Sequence, residues 1–93
     1  MQVTVKFLGA LGDQVGMPRL PVEIPADGTY RDVLDVVGST MRTRLPEWTW
    51  DAERRSFSRR LMVSLNGTAD LRDETVRLTE GDEILVVLPL AGG

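Results

Sequence analysis

Gly81-Asp82-Glu83-Ile84-Leu85-Val86-Val87-Leu88-Pro89-Leu90-Ala91-Gly92-Gly93 is the stretch that decides the fold. Glu80-Gly81-Asp82 carries turn chemistry and feeds a run that is apolar at every position from Ile84 to Leu88. Such a run is either a central strand buried on both faces or a strand with one face kept sticky for a partner. Pro89 ends it, because proline cannot donate to a strand ladder. The closing Gly92-Gly93 has no Cβ, so it is thin and conformationally permissive. A tip of that kind can thread a narrow channel on another protein and present its carboxylate there. The plainer reading is that chain ends fray and small residues collect at them; the strand and proline before it favour the first.

Working outward, a central strand needs neighbours. Residues 2–8 alternate, with Val3, Val5 and Phe7 on one face and Gln2, Thr4 and Lys6 on the other, a period of two that reads as a strand. Gly9 to Pro18 reads as a loop with three glycines. Leu20, Val22 and Ile24 alternate with Pro21 and Glu23 in a second strand that pairs with the first as a hairpin. Pro21 marks it as an edge strand.

Thr29 then opens a helix, with Asp32 in its first turn favouring the positive end of the dipole. Tyr30, Val33, Leu34, Val37, Met41 and Leu45 fall at helical spacing as one apolar stripe, and Pro46 stops it. Gly38 costs that helix about 1 kcal/mol relative to Ala, which points to a close approach to the sheet. Trp48, Trp50 and Phe57 fall in a poorly patterned stretch, 46–60, and read as caps on the core edge. Leu61, Val63 and Leu65 form a third strand closed by the turn pair Asn66-Gly67. Leu71, Val76 and Leu78 anchor short irregular pieces before the last strand. The order predicts a two-layer α+β domain: a mixed sheet of four to five strands on one main helix, first and last strands side by side in the middle. Residues 1–88 make the domain and 89–93 a flexible tail.

Composition excludes much. Cys and His are both absent, which removes thiolate nucleophiles, disulfides, cysteine-ligated clusters and ordinary zinc sites. The usual general base near neutral pH is missing too, so the chain is not expected to be an enzyme by itself. A net charge of −3 disfavours a nucleic-acid footprint. No apolar run approaches the roughly 20 residues of a membrane span, and Met1 leads straight into a strand pattern. A cytoplasmic protein without metal or bound cofactor is the expectation. Charge is uneven, because residues 42–60 hold six Arg against three acids, whereas residues 61–93 hold six acids against two Arg. That bias reads as a solvated face, or as an acidic surface steering a basic partner to the last strand.

Taken in order, these residues resemble the ubiquitin-like β-grasp sulfur carriers, the small subunit of molybdopterin synthase and its relatives. The resemblance covers essentially the whole chain. It rests on the opening strand Val3–Leu8, Pro46-Glu47 after the helix, the strand leading into Asn66-Gly67, and Leu78-Thr79-Glu80-Gly81-Asp82-Glu83. Pro89-Leu90-Ala91-Gly92-Gly93 is its most specific element. Leu88 departs from it, since the molybdopterin-synthase subunit often has a proline there; related carriers serve thiamine, cysteine, thiolated tRNA and sulfur-containing natural products.

The resemblance implies that an E1-like adenylating enzyme uses ATP to couple the Gly93 carboxylate to AMP, with Gly92 beside it in the channel. A sulfur donor then converts the acyl-adenylate to a thiocarboxylate, which a synthase, the large subunit of molybdopterin synthase or an equivalent, takes up. No nucleic acid or membrane is implied. Five residues from Pro89 to Gly93 span at most about 17 Å, at roughly 3.3–3.6 Å each. By strand alternation Ile84, Val86 and Leu88 face the helix, while Leu85 and Val87, with Met62, face out as a docking patch continued by Pro89, Leu90 and Ala91. Alternation alone leaves the reverse assignment open. Two other readings share the terminus: a protein modifier joined to lysines through Gly93, and a plain β-grasp interaction domain whose tail is incidental.

Overall fold

The computed structural model describes residues 1–41 and 43–89. Strand β1 spans Gln2–Phe7 and buries every second residue, Val3, Val5 and Phe7. The segment read as a glycine loop instead contains a short helix, α1, over Ala10–Val15, which buries Leu11 and Val15. Six residues with glycine inside and at both flanks carry too weak a helical signal to stand out; tertiary burial of the two apolar side chains decides it. Strand β2, Arg19–Glu23, returns antiparallel to β1 with Thr4 opposite Pro21. It lies at the sheet edge, where a residue without an N–H is tolerated.

Helix α2 covers Tyr30–Thr40. The Asp32 carboxylate accepts the Thr29 amide at 2.9 Å, anchoring the first turn. Tyr30, Val33, Leu34 and Val37 are all buried, as the stripe requires. The helix stops six residues short of Pro46. The Ser39 and Thr40 hydroxyls both donate back to the Val36 carbonyl, and Met41 and Leu45 reach the core from the turn that follows. Gly38 does mark a close approach, but to Trp50 rather than to the main sheet: a Cβ there would lie 2.9 Å from the Trp50 ring.

Residues 46–60 fold into a 3₁₀ turn, Glu47–Thr49, and a two-stranded ribbon of β3, Trp50–Asp51, and β4, Ser56–Phe57. Trp50 packs edge-on against Phe57 at 5.4 Å, and Phe57 against Phe7 at 6.1 Å. Trp48 is also packed on the core, so both tryptophans cap its edge. Arg31 on α2 ties the ribbon down. It donates to Asp35 and to Glu74 at 2.9 Å, and to the carbonyls of Arg54 and Arg55.

Strand β5, Met62–Leu65, turns through Asn66 and Gly67, whose φ values of 54° and 77° are those of a type I′ turn. It meets a two-residue strand, β6, Ala69–Asp70, inside the stretch read as irregular. Strand β7, Glu83–Val87, runs parallel to β1 and antiparallel to β5. The sheet order is β2-β1-β7-β5-β6, so the first and last strands hold its centre and α2 covers one face. This is the expected α+β arrangement, at the upper strand count. Among the described residues, no helix is long and apolar enough to cross a membrane.

Candidate functional site

The parity of β7 settles which of its side chains face outward. Ile84 and Val86 have no exposed surface, and Leu88 packs against the core, whereas Leu85 and Val87 are half-buried on the opposite face. The strand is therefore not buried equally on both sides. Its register carries this parity across the sheet. Val87 stands opposite Met62 on β5, and Lys6 opposite Leu85. One step further along β1, Leu8 donates its amide to the Val86 carbonyl at 2.9 Å and so lies beside Val87.

Leu8, Val87 and Met62 thus form an apolar row across three strands at the end where the chain leaves the sheet. Leu8 and Met62 are the two large hydrophobic side chains exposed among the described residues, at 38% and 52%. Leu85 lies one row back, between Lys6 and Ser64. Leu8 was not singled out from the sequence. Its signal was there, an apolar residue at the next outward position after Gln2, Thr4 and Lys6, but its meaning depends on β7 lying alongside.

Pro89 is exposed and continues from this row. Leu90, Ala91, Gly92 and Gly93, expected to carry the tail's partner contacts and its reactive carboxylate, lie outside the described residues.

The charges around β7 are largely occupied. Lys6 Nζ is 2.7 Å from Glu83 on the outward face. Glu80 accepts the Gln2 amide, Asp73 accepts from Thr75, Glu74 pairs with Arg31 and Asp70 lies 3.9 Å from Arg72. Asp82 accepts the Thr79 amide and hydroxyl at 2.8 and 2.9 Å and the Asn66 side-chain amide at 3.2 Å. Partial burial opposes the Asp82 charge, but those three donors outweigh it and hold the carboxyl below the ordinary range. Glu74 and Glu83 thus face basic groups and Asp70 does so more loosely, whereas Asp73, Glu80 and Asp82 accept from neutral donors and keep their charge. Asp82 fixes the turn that launches β7 by closing on Thr79.

Chemically, the face offers contact area. Among the described residues no three acids cluster as a metal site would require.

Neither a protein-family profile nor a curated protein matches the sequence. Solved structures do. Over its full length the chain is similar to all of small archaeal modifier protein 1 from Haloferax volcanii, at 22% identity and a TM-score of 0.77. It is similar over its full length to all of a chain in the complex of subunits 1 and 2 of the molybdopterin-converting factor from Helicobacter pylori, at 19% and 0.65. A chain in the BexX/CysO complex from Amycolatopsis orientalis matches over 98% of this chain and 99% of its own, at 24% and 0.57. The fold is the ubiquitin-like β-grasp.

Proposed function

We propose that the chain is a sulfur carrier of the ubiquitin-like β-grasp type, activated and loaded at the Gly93 carboxylate. The observation that carries this reading is the exit of the chain. The central strand β7 delivers Pro89 beside the exposed Leu8–Val87–Met62 row, so a partner docked on that row is positioned to receive the residues that follow.

At pH 7 a C-terminal carboxyl, with an ordinary pKa of about 3.3–3.7, is an anion and a poor electrophile. In the proposed cycle an adenylating enzyme directs a carboxylate oxygen onto the α-phosphorus of ATP. Pyrophosphate leaves, and the carboxyl becomes a mixed anhydride with AMP. A sulfide equivalent then attacks the acyl carbon, AMP leaves, and a thiocarboxylate remains. That group is a soft nucleophile, and a synthase consumes it; molybdopterin synthesis is the pathway the resemblance favours. The chain's own contribution is binding and presentation: the row docks, β7 fixes the direction of exit, and glycines fit a channel sized for backbone. The absence of Cys and His agrees with a chain that performs no step itself.

A second reading, a modifier joined to lysines through Gly93, is favoured by the similarity to small archaeal modifier protein 1. Both readings use the same activation. Mass spectrometry of the chain purified from its own host separates them. An oxygen-to-sulfur exchange confined to the C-terminal peptide supports the carrier, and isopeptide-linked conjugates of higher mass support the modifier. If neither is found and deletion of Gly92-Gly93 leaves the cell unaffected, the chain is an interaction domain with an incidental tail.

A further inference from the structure

We propose that the cleft bounded by the start of α2, the β3–β4 ribbon and the β6 edge binds a small organic anion, an apolar aromatic or branched body carrying a phosphate or carboxylate. This cleft adjoins the chain exit, sharing Met62 with the apolar row there, but the proposal does not rest on the carrier reading. The cleft has a volume of about 510 Å³, within the range of small-molecule sites. Leu34, Phe57, Leu61, Val63 and Leu71 give it an apolar floor. Its rim carries Arg54, Arg59 and Arg72.

Two observations point to a missing anionic partner. Ser56 lines the cleft and is 5% exposed, and its Oγ has no hydrogen-bond partner among the protein's own described groups. A buried hydroxyl without a partner is uncommon because burying it costs free energy that nothing returns. An acceptor oxygen in the cleft supplies what it lacks. The guanidinium groups are similarly underused. Arg59 has no ion-pair partner among the described residues, while Arg54 and Arg72 meet Asp51 and Asp70 only at 3.7 and 3.9 Å, too long for hydrogen bonds.

Two acids also border the cleft, Asp70 and Glu74. Glu74 shares Arg31 with Asp35 at 2.9 Å, and Arg54 and Arg72 each have one carboxylate at longer range, so Arg59 is the rim cation without one among the described residues. Burial, with Glu74 nearby, raises the Tyr30 phenol well above its ordinary pKa, so at neutral pH it stays a hydrogen-bond donor. The amides at the start of α2 are not the binding groups, since Tyr30 and Arg31 already donate to the carbonyls of Val76 and Glu74. An anion with an apolar body satisfies both halves of the site: charge-assisted bonds at the rim and contact on the floor.

The test is an amide chemical-shift titration of the intact, isotope-labelled chain at fixed ionic strength with phenyl phosphate, inorganic phosphate and phenol. Saturable shifts at residues 56–61 and 71–74, with a Kd of about 1 mM or tighter for phenyl phosphate, are expected. Inorganic phosphate and phenol should each bind about tenfold more weakly, because each offers half of the contacts, and Arg59→Gln should weaken phenyl phosphate by a similar factor. Arg59 is exposed, so the variant keeps the fold. Three results overturn the proposal: no saturation by phenyl phosphate, equal binding of inorganic phosphate (surface arginines meeting an ion), or binding unchanged in Arg59→Gln.

Discussion

Gly38→Ala sets two effects of known size against each other. Within a helix, alanine is favoured over glycine by about 1 kcal/mol, so on local grounds the change is stabilising. The structure opposes it. The new Cβ would sit 2.9 Å from the Trp50 ring, where carbon atoms at rest stand about 3.5–4.0 Å apart. The indole must retreat by more than half an ångström, and it is braced. Trp50 meets Phe57 edge-on at 5.4 Å, and Phe57 in turn meets Phe7 on β1 at 6.1 Å. Overpacking of this kind costs about 1–3 kcal/mol. The net expectation is a loss of about 1 kcal/mol, which for a domain of this size lowers the Tm by roughly 4–8 °C. Thermal melts and tryptophan emission measure it, the latter because the ring is displaced. A double-mutant cycle makes the argument specific. In a Trp50→Leu background the obstacle is gone, and Gly38→Ala should become stabilising by up to about 1 kcal/mol, a coupling of about 2 kcal/mol. A rise in Tm for Gly38→Ala with Trp50 present would refute the reasoning.

Four further outcomes are expected. Val87→Asp and Leu8→Asp should fold, as judged by circular dichroism, yet raise the KM of the carrier in ATP–pyrophosphate exchange by about tenfold or more; Ile84→Asp, which places a charge in the core, should not fold. Adding one residue after Gly93, or Gly92→Val, should abolish that exchange at unchanged Tm, since misplacing reacting atoms by about 1 Å costs roughly 100-fold; normal exchange by the extended chain would remove the case for a carrier. The folded pKa of Asp82 is depressed, so its stabilisation is complete above the ordinary carboxylate pKa of about 3.9 and is lost as pH falls through the lower folded value. Asp82→Asn should therefore flatten the fall in Tm below about pH 4, and an unaltered acid limb would refute the assignment. Arg31→Met, which strands Glu74 and two ribbon carbonyls, should cost about 2 kcal/mol in denaturant melts, with exposure of Trp50.

The sequence by itself determined the long, strongly periodic elements. Val3-Val5-Phe7 and Val22-Ile24 declare period two, and the stripe from Tyr30 to Val37 declares a helical face. Asn66-Gly67 declares its turn, because only residues tolerant of positive φ fit there. These signals are local, so a linear reading finds them. What it misses is short or relational. Helix α1 and strands β3, β4 and β6 have two to six residues each, too few to show a period, and they exist because neighbours bury or pair them. Pattern also set the helix stop at Pro46, whereas hydroxyls returning to the Val36 carbonyl and the packing of Met41 end α2 earlier. The candidate site divides in the same way. The role proposed for Gly92 and Gly93 is read in one dimension, because it is argued from their chemistry alone. Alternation along β7 offered two faces without choosing between them; the side that α2 covers made the choice, burying Ile84 and Val86. Leu8 joined Val87 and Met62 only through the parallel register of β1 and β7, a pairing of residues nearly eighty positions apart that no local pattern encodes.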